Sequence, residues 1–286
     1  MTLMGFRESW SDPMTSRLAR SQLFVGDEAI RSECQKLTAA EALEPIVGPN
    51  VDHEVKSASG CPGKIPDGRD DAETLDSRPM HHAEFVVLHN AKLKGFASAE
   101  ALVQSSGLPV TEVEKALAQL ADVGHVMYRE GRICGWAATT AGREAHKSHL
   151  TQELTESGHG PAIRARYEEF LVHNAELLAV CTKWQVRDIE NNEMNDHLDS
   201  DYDDSVRDRL AGLHVEVVPI CRDLTGRLRR YSAYEPRLDV ALGKVRQGLN
   251  EWFARPIIDS YHTVWMELHE DLLATLAIDR ASEPQP

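Results

Sequence analysis

The chain lacks any apolar run near the ~20 residues that cross a bilayer, which excludes a helical membrane anchor. Its first residues, Met1-Thr2-Leu3-Met4-Gly5-Phe6-Arg7-Glu8, lack the basic, apolar and small-residue segments of a secretory signal. Cysteine is sparse: Cys34, Cys61, Cys134, Cys181 and Cys221 are odd in number, scattered, and never C-x-x-C. That spacing argues against a zinc site or disulfide framework and for free thiols in a reducing compartment. The expectation is a cytoplasmic protein.

Chemistry-bearing motifs are missing as well. Gly60-Cys61-Pro62-Gly63-Lys64 superficially resembles a phosphate loop, but Ala58 breaks the spacing and Ile65 stands where a metal-binding hydroxyl belongs. His269-Glu270 opens like a zinc-protease motif, yet Leu273 replaces the second histidine. Asp199, Asp201 and Asp203 open like a calcium loop; Asp204 then replaces the glycine and Leu210 the closing glutamate. No nucleophile–base pair, metal set or cofactor motif remains. The chain is therefore read as a non-enzyme without metal or cofactor.

Positive charge is also in deficit, with a net charge of −15. Residues 1–79 hold nine Lys/Arg against fourteen Asp/Glu, 80–150 seven against seven, and 151–286 fifteen against twenty-five. So acidic a chain is repelled by phosphate backbones at long range. Any nucleic-acid contact must come from a local cluster in the neutral middle.

At 286 residues the chain accommodates about two domains. Residues 1–79 read as a poorly ordered arm: Thr15–Leu23 and Asp27–Leu43 are weak helix candidates, and Val47–Asp76 is a Pro/Gly-rich linker. Residues 80–150 carry a helix over His81–Lys94, with Phe85, Leu88, His89 and Leu93 toward a core. Ser98 caps a second helix to Gln104. A third runs from a Thr111/Glu114 capping box to the Gly124 stop, with Val113, Ala116, Leu117, Leu120 and Ala121 at helical spacing. Two short strands follow around Glu130-Gly131. This order builds a winged helix-turn-helix.

Residues 160–280 carry four apolar stripes at helical spacing: Ile163 to Trp184, Val206 to Leu224 with a kink at Pro219, Leu238 to Trp252, and Tyr261 to Leu276. These predict an antiparallel four-helix bundle. The loops between them are Val186–Ser205, Gly226–Pro236 and Ala254–Asp259, and Ser282–Pro286 is expected to fray. The fold class is thus mainly α, a winged helix with a small β-wing plus the bundle.

In a DNA-binding winged helix the third helix enters the major groove and the wing reaches backbone or minor groove. The outer face of the third helix offers Thr111, Glu112, Lys115, Gln119 and Asp122; the wing offers Arg129 and Arg132. Val113–Gly142 resembles the winged helix of MarR-type bacterial transcription regulators. The residues in common are Ala116-Leu117, Leu120, Gly124-His125-Val126, Arg129, Arg132 and Thr140-Ala141-Gly142-Arg143. The resemblance implies homodimeric binding of double-stranded DNA, with Thr111, Lys115 and Gln119 at the groove and the wing arginines in the minor groove. The mixed charge of the third helix keeps a second reading open, a winged helix that docks a protein. Trp252–Asp279 is similar to uncharacterised bacterial proteins that pair a winged helix with such a bundle. Some of those are associated with phosphoenolpyruvate-utilising enzymes, which suggests one kind of protein partner.

Within the bundle, Asn174 interrupts an apolar stripe. It either fixes helix register or pairs with His214, His262 or His269. Together with Trp184 and Trp265 these residues are the candidates for a small-molecule effector pocket; the alternative is a set of satisfied core-edge histidines. Asp199–Asp204 reads as a solvated acidic loop capping the next helix. Arg227, Arg229 and Arg230 form a basic cluster that meets an anion, meets that loop, or is a solvated turn.

Overall fold

Helix α1, His82–Lys94, occupies the middle of the architecture, with eight consecutive residues, Glu84 to Ala91, buried. A helix apolar on one stripe buries one face; α1 is enclosed on all sides, which its Phe-Val-Val-Leu run permits. The computed structural model describes residues 80–131, 134–191 and 193–283. The N-terminal arm and linker, and Arg132 of the wing, lie outside the described residues.

Helix α2, Ala99–Ser106, is capped by Ser98 as its sequence predicts, the hydroxyl accepting from Ala101 N–H, and ends at the left-handed Gly107. Helix α3 spans Val110–Asp122. It begins earlier than the Thr111 box implies, because Pro109 fixes its own φ and Glu112 and Val113 N–H bond the Pro109 carbonyl. Strands β1, Val126–Arg129, and β2, Gly135–Ala138, pair antiparallel with Tyr128 opposite Trp136. Ala97 adds an edge bridge to Trp136.

Two glycines are fixed by close approach. A Cβ on Gly135 would lie 2.8 Å from the Ala97 carbonyl oxygen, and one on Gly142 would lie 1.9 Å from that of His125. Gly142 belongs to helix α4, Thr140–Ser157, whose cap Thr139 accepts from Gly142 N–H and donates to the Gly124 carbonyl. The Thr-Ala-Gly-Arg sequence thus locks the hairpin to α4 through backbone.

Beyond it run α5 (Gly160–Gln185), a small hairpin of β3 (Val186–Asp188) and β4 (Glu193–Met194), α6 (Ser200–Arg227), a 3-10 turn (Arg229–Ala233), α7 (Tyr234–Arg246), α8 (Glu251–Ala254) and α9 (Tyr261–Leu276). Three stripes form the long helices α5, α6 and α9 as expected. Pro219 does not split α6, which runs continuously from Ser200 to Arg227. It sits on the exposed side, where the Val215 carbonyl it leaves unbonded faces water. The Leu238–Trp252 stripe does not form one helix: Gly248 at φ 82° breaks it, leaving Leu249 exposed.

Two apolar cores result. One joins α1, α2, α3 and the β1–β2 hairpin through Leu88, Leu102, Leu117, Leu120 and Val126. The larger runs through α5, α6, α7, α8 and α9 and includes Phe170, Leu210, Tyr261, Trp265 and Leu272. Among the described residues no helix is long and apolar enough to cross a membrane.

Candidate functional site

The α3–hairpin face is the first candidate. Val113, Ala116, Leu117 and Leu120 point inward. At 100° per residue the opposite line of α3 is Thr111, Lys115, Ala118 and Asp122, all exposed. Gln119 and Glu112 flank it. The N-terminal part of the line, up to Ala118, carries no acid. On the hairpin, Arg129 is exposed and stacks its guanidinium 5.3 Å from the Phe96 ring centre. It makes no ion pair among the described residues. Around it lie exposed apolar side chains, Met127 at 49%, Tyr128 at 50% and Phe96 at 40% exposure. Tyr128 meets Trp136 edge-on.

The second candidate is buried, and sequence reasoning missed it. His89 Nδ1 on α1 lies 2.8 Å from His146 Nε2 on α4, and His89 Nε2 lies 3.0 Å from Asp271 Oδ2 on α9. One proton must sit between the two imidazoles. The tautomer of His89 that serves both neighbours carries its hydrogen on Nε2, with His146 Nε2–H donating to His89 Nδ1. The contact with Asp271 is off the N–H axis and is electrostatic in character. Asp271 also accepts from Arg230 Nη1 and, at 2.9 Å, from the Tyr234 hydroxyl. Arg230 donates to Glu153 Oε2 at 2.8 Å and to the Thr275 hydroxyl.

A neighbouring cluster repeats the pattern. Lys94 at the end of α1 donates to Glu267 at 2.7 Å and contacts Asp259 at 3.3 Å. Arg237 bonds the same two carboxylates at 2.6 and 2.8 Å.

Electrostatics follow from this geometry. Burial and then the neighbouring His89 ring push His146 down to about 3. Burial by itself would raise the Asp271 carboxyl; the Arg230 guanidinium and the His89 ring outweigh it and hold Asp271 below the usual carboxylate range. Burial would likewise raise Asp259, and Arg237 and Lys94 reverse this. His89, His146, Arg230 and Asp271 are buried, while Lys94 and Asp259 of the second cluster are partly exposed. The arrangement is a charged seam joining α1 to α4, α7 and α9.

These contacts correct two expectations. Arg230 is a buried partner of Asp271 and Glu153, not part of a solvated turn, while Arg227 pairs locally with Asp223. Asp203 is buried, not solvated, because it accepts from Asn195 at 2.8 Å and pairs with His197 at 2.9 Å. Asp199 does cap α6.

The expected pocket residues are only partly brought together. Asn174 accepts from Trp265 Nε1 at 2.9 Å and pairs with none of the three histidines. Phe170 stacks on Trp265 and touches His269. His214 bonds Asp239 at 2.9 Å and the Tyr261 hydroxyl at 3.3 Å. Trp184 packs on Phe253 and His197 instead. His262 is half-buried. His269 Nε2 donates to Glu283 at 2.6 Å, which holds Glu283 of the expected frayed tail against α9; residues 284–286 lie outside the described residues. Among the described residues no group of three or more His, Cys, Asp or Glu is placed to hold a metal. No protein family, curated protein or solved structure matches the chain.

Proposed function

We propose that residues 80–150 act as a MarR-like winged helix that binds double-stranded DNA in a homodimeric regulator, with the helical residues 160–280 as its dimerisation or effector-sensing part. The observation that carries the reading is Arg129: an exposed hairpin cation that stacks on Phe96 and makes no ion pair among the described residues. The exposed Thr111–Lys115–Ala118 line of α3 supports it. A short hydroxyl, a cation and a methyl suit base edges and phosphates.

The test is duplex binding titrated against salt. Each phosphate contact adds roughly −0.9 to the slope of log affinity against log salt. Arg129→Ala with Arg132→Ala should weaken binding and reduce the slope by about two. An unchanged slope removes the hairpin from the interface.

A second reading rests on Met127, Tyr128 and Phe96. Three half-exposed apolar side chains on the hairpin and the segment that bridges to it suit a protein surface. If no duplex binds at low salt, this face docks a protein, and the resemblance of Trp252–Asp279 makes a phosphoenolpyruvate-utilising enzyme the partner to try.

A further inference from the structure

Two buried donors on different helices converge on one carboxylate oxygen. Tyr167 of α5 donates its hydroxyl to Glu283 Oε1 at 2.5 Å, and His269 of α9 donates Nε2–H to the same oxygen at 2.6 Å. Tyr167 is 4% and His269 2% exposed. Both rings are held from behind: they lie stacked with centres 6.4 Å apart, and Phe170 packs on His269 and on Trp265, whose indole N–H is fixed by Asn174. Burial, then the bond to Glu283, raises the Tyr167 hydroxyl well above its ordinary value, so it stays a donor.

The carboxylate comes from a short segment that folds as one 3-10 turn, Arg280–Ser282, capped by Asp279. After α9, Ala277 and Asp279–Ser282 are exposed. Ile278 packs on the larger core, and Arg280 reaches only the part-exposed Glu270. The donors belong to rigid helices, whereas the acceptor belongs to a strap. A donor pair preorganised by its own packing binds an incoming acceptor without further ordering cost.

We propose that Tyr167 and His269 form a receptor for a small organic monocarboxylate, occupied in the resting chain by Glu283 as an internal stand-in. An arriving carboxylate takes the two donors and releases the strap. Carboxylate binding here stands even if no nucleic acid binds at α3. His269 is two residues from Asp271, so the receptor lies on the helix that also grips α1.

The experiment uses the full chain and acetate as the probe, at constant ionic strength made up with chloride. Glu283→Ala empties the receptor, and acetate should raise its unfolding midpoint saturably, as a ligand of the folded state does. The unsubstituted chain should show a much smaller rise, because Glu283 competes for the same donors. In that chain acetate should speed tryptic cleavage after Arg280 as the strap is displaced. Adding Tyr167→Phe to Glu283→Ala should abolish the acetate response. Glu283→Ser, whose side chain is too short to reach the two donors, serves the same purpose if the alanine variant does not fold. Equal responses to acetate and phosphate would overturn the carboxylate assignment. So would rescue by a synthetic peptide of residues 278–283 with none by acetate, which would make the site a clasp for its own segment. No acetate response in either Glu283 variant overturns the proposal outright.

Discussion

Charged side chains live under two regimes in this protein. In the seam, His89 and Lys94 of α1 meet Asp271, Glu267, Arg230 and Arg237 with little water between them. On the α3–hairpin face, Lys115 and Arg129 stand in solvent. The first set is matched within the chain; the second has no ion partner among the described residues. The same residue types are thus buried and paired in one place and solvated in the other.

Substitutions that unpair the seam should break this contrast most visibly. Asp271→Asn leaves the buried Arg230 guanidinium without its closest counter-charge, and removing one member of a buried pair costs about 3–5 kcal/mol. Urea unfolding of the variant measures it; a loss below 1 kcal/mol would mean that water already reaches the seam. Replacing both partners together, Arg230→Met with Asp271→Leu, should recover much of the loss.

Acid should act next. His146 sits near 3 in the folded protein against 6.5 in its unpaired form, so the unfolded chain takes up the proton first. Its contribution is complete above pH 6.5 and is lost as pH falls from there toward 3. The loss runs at up to about 1.4 kcal/mol per pH unit. His146→Gln keeps a donor toward His89 and should flatten stability between pH 6.5 and 4.5. An unaltered slope would assign the acid sensitivity to other groups.

Gly142→Ala tests the backbone lock. Its methyl would collide with the His125 carbonyl, and such overpacking costs about 1–3 kcal/mol. Gly124→Asn at a left-handed position with open space around it should be far milder. Smallest of all, Arg129→Ala should change stability by less than about 0.5 kcal/mol while weakening duplex binding. A large stability loss there would make the arginine structural and erase the distinction between the two regimes.

Sequence periodicity located the helices well where one face is buried. α3, α5, α6 and α9 carry apolar residues three and four apart, and each forms. It failed where the pattern is not amphipathic. α1 is buried all round, so its stripe of Phe85, Leu88 and Leu93 understates what is enclosed, and Leu93 is only half-buried. The third bundle stripe ran past Gly248, because apolar spacing does not register a left-handed break. The seam was illegible for another reason. Arg230 and Asp271 look like surface residues in sequence, and although His89 reads as core-facing, only the packing of α1 against α9 makes the three partners. The one signal in sequence is His89 on the inward face of α1, a polar ring among apolar side chains that needs a buried partner. The exposed line of α3, Thr111, Lys115, Ala118 and Asp122, was legible because helical phase alone assigns it outward.

The seam has a consequence for dissecting the chain. Cutting between α4 and α5 would strip α9 and the 3-10 turn of His89, Lys94, His146 and Glu153 at one stroke. Each piece would then expose apolar surface and carboxylates or guanidiniums shaped for an absent counterpart. Residues 80–150 and 160–280 should therefore melt in one shared cooperative transition, and neither half, excised, should report faithfully on what the other does.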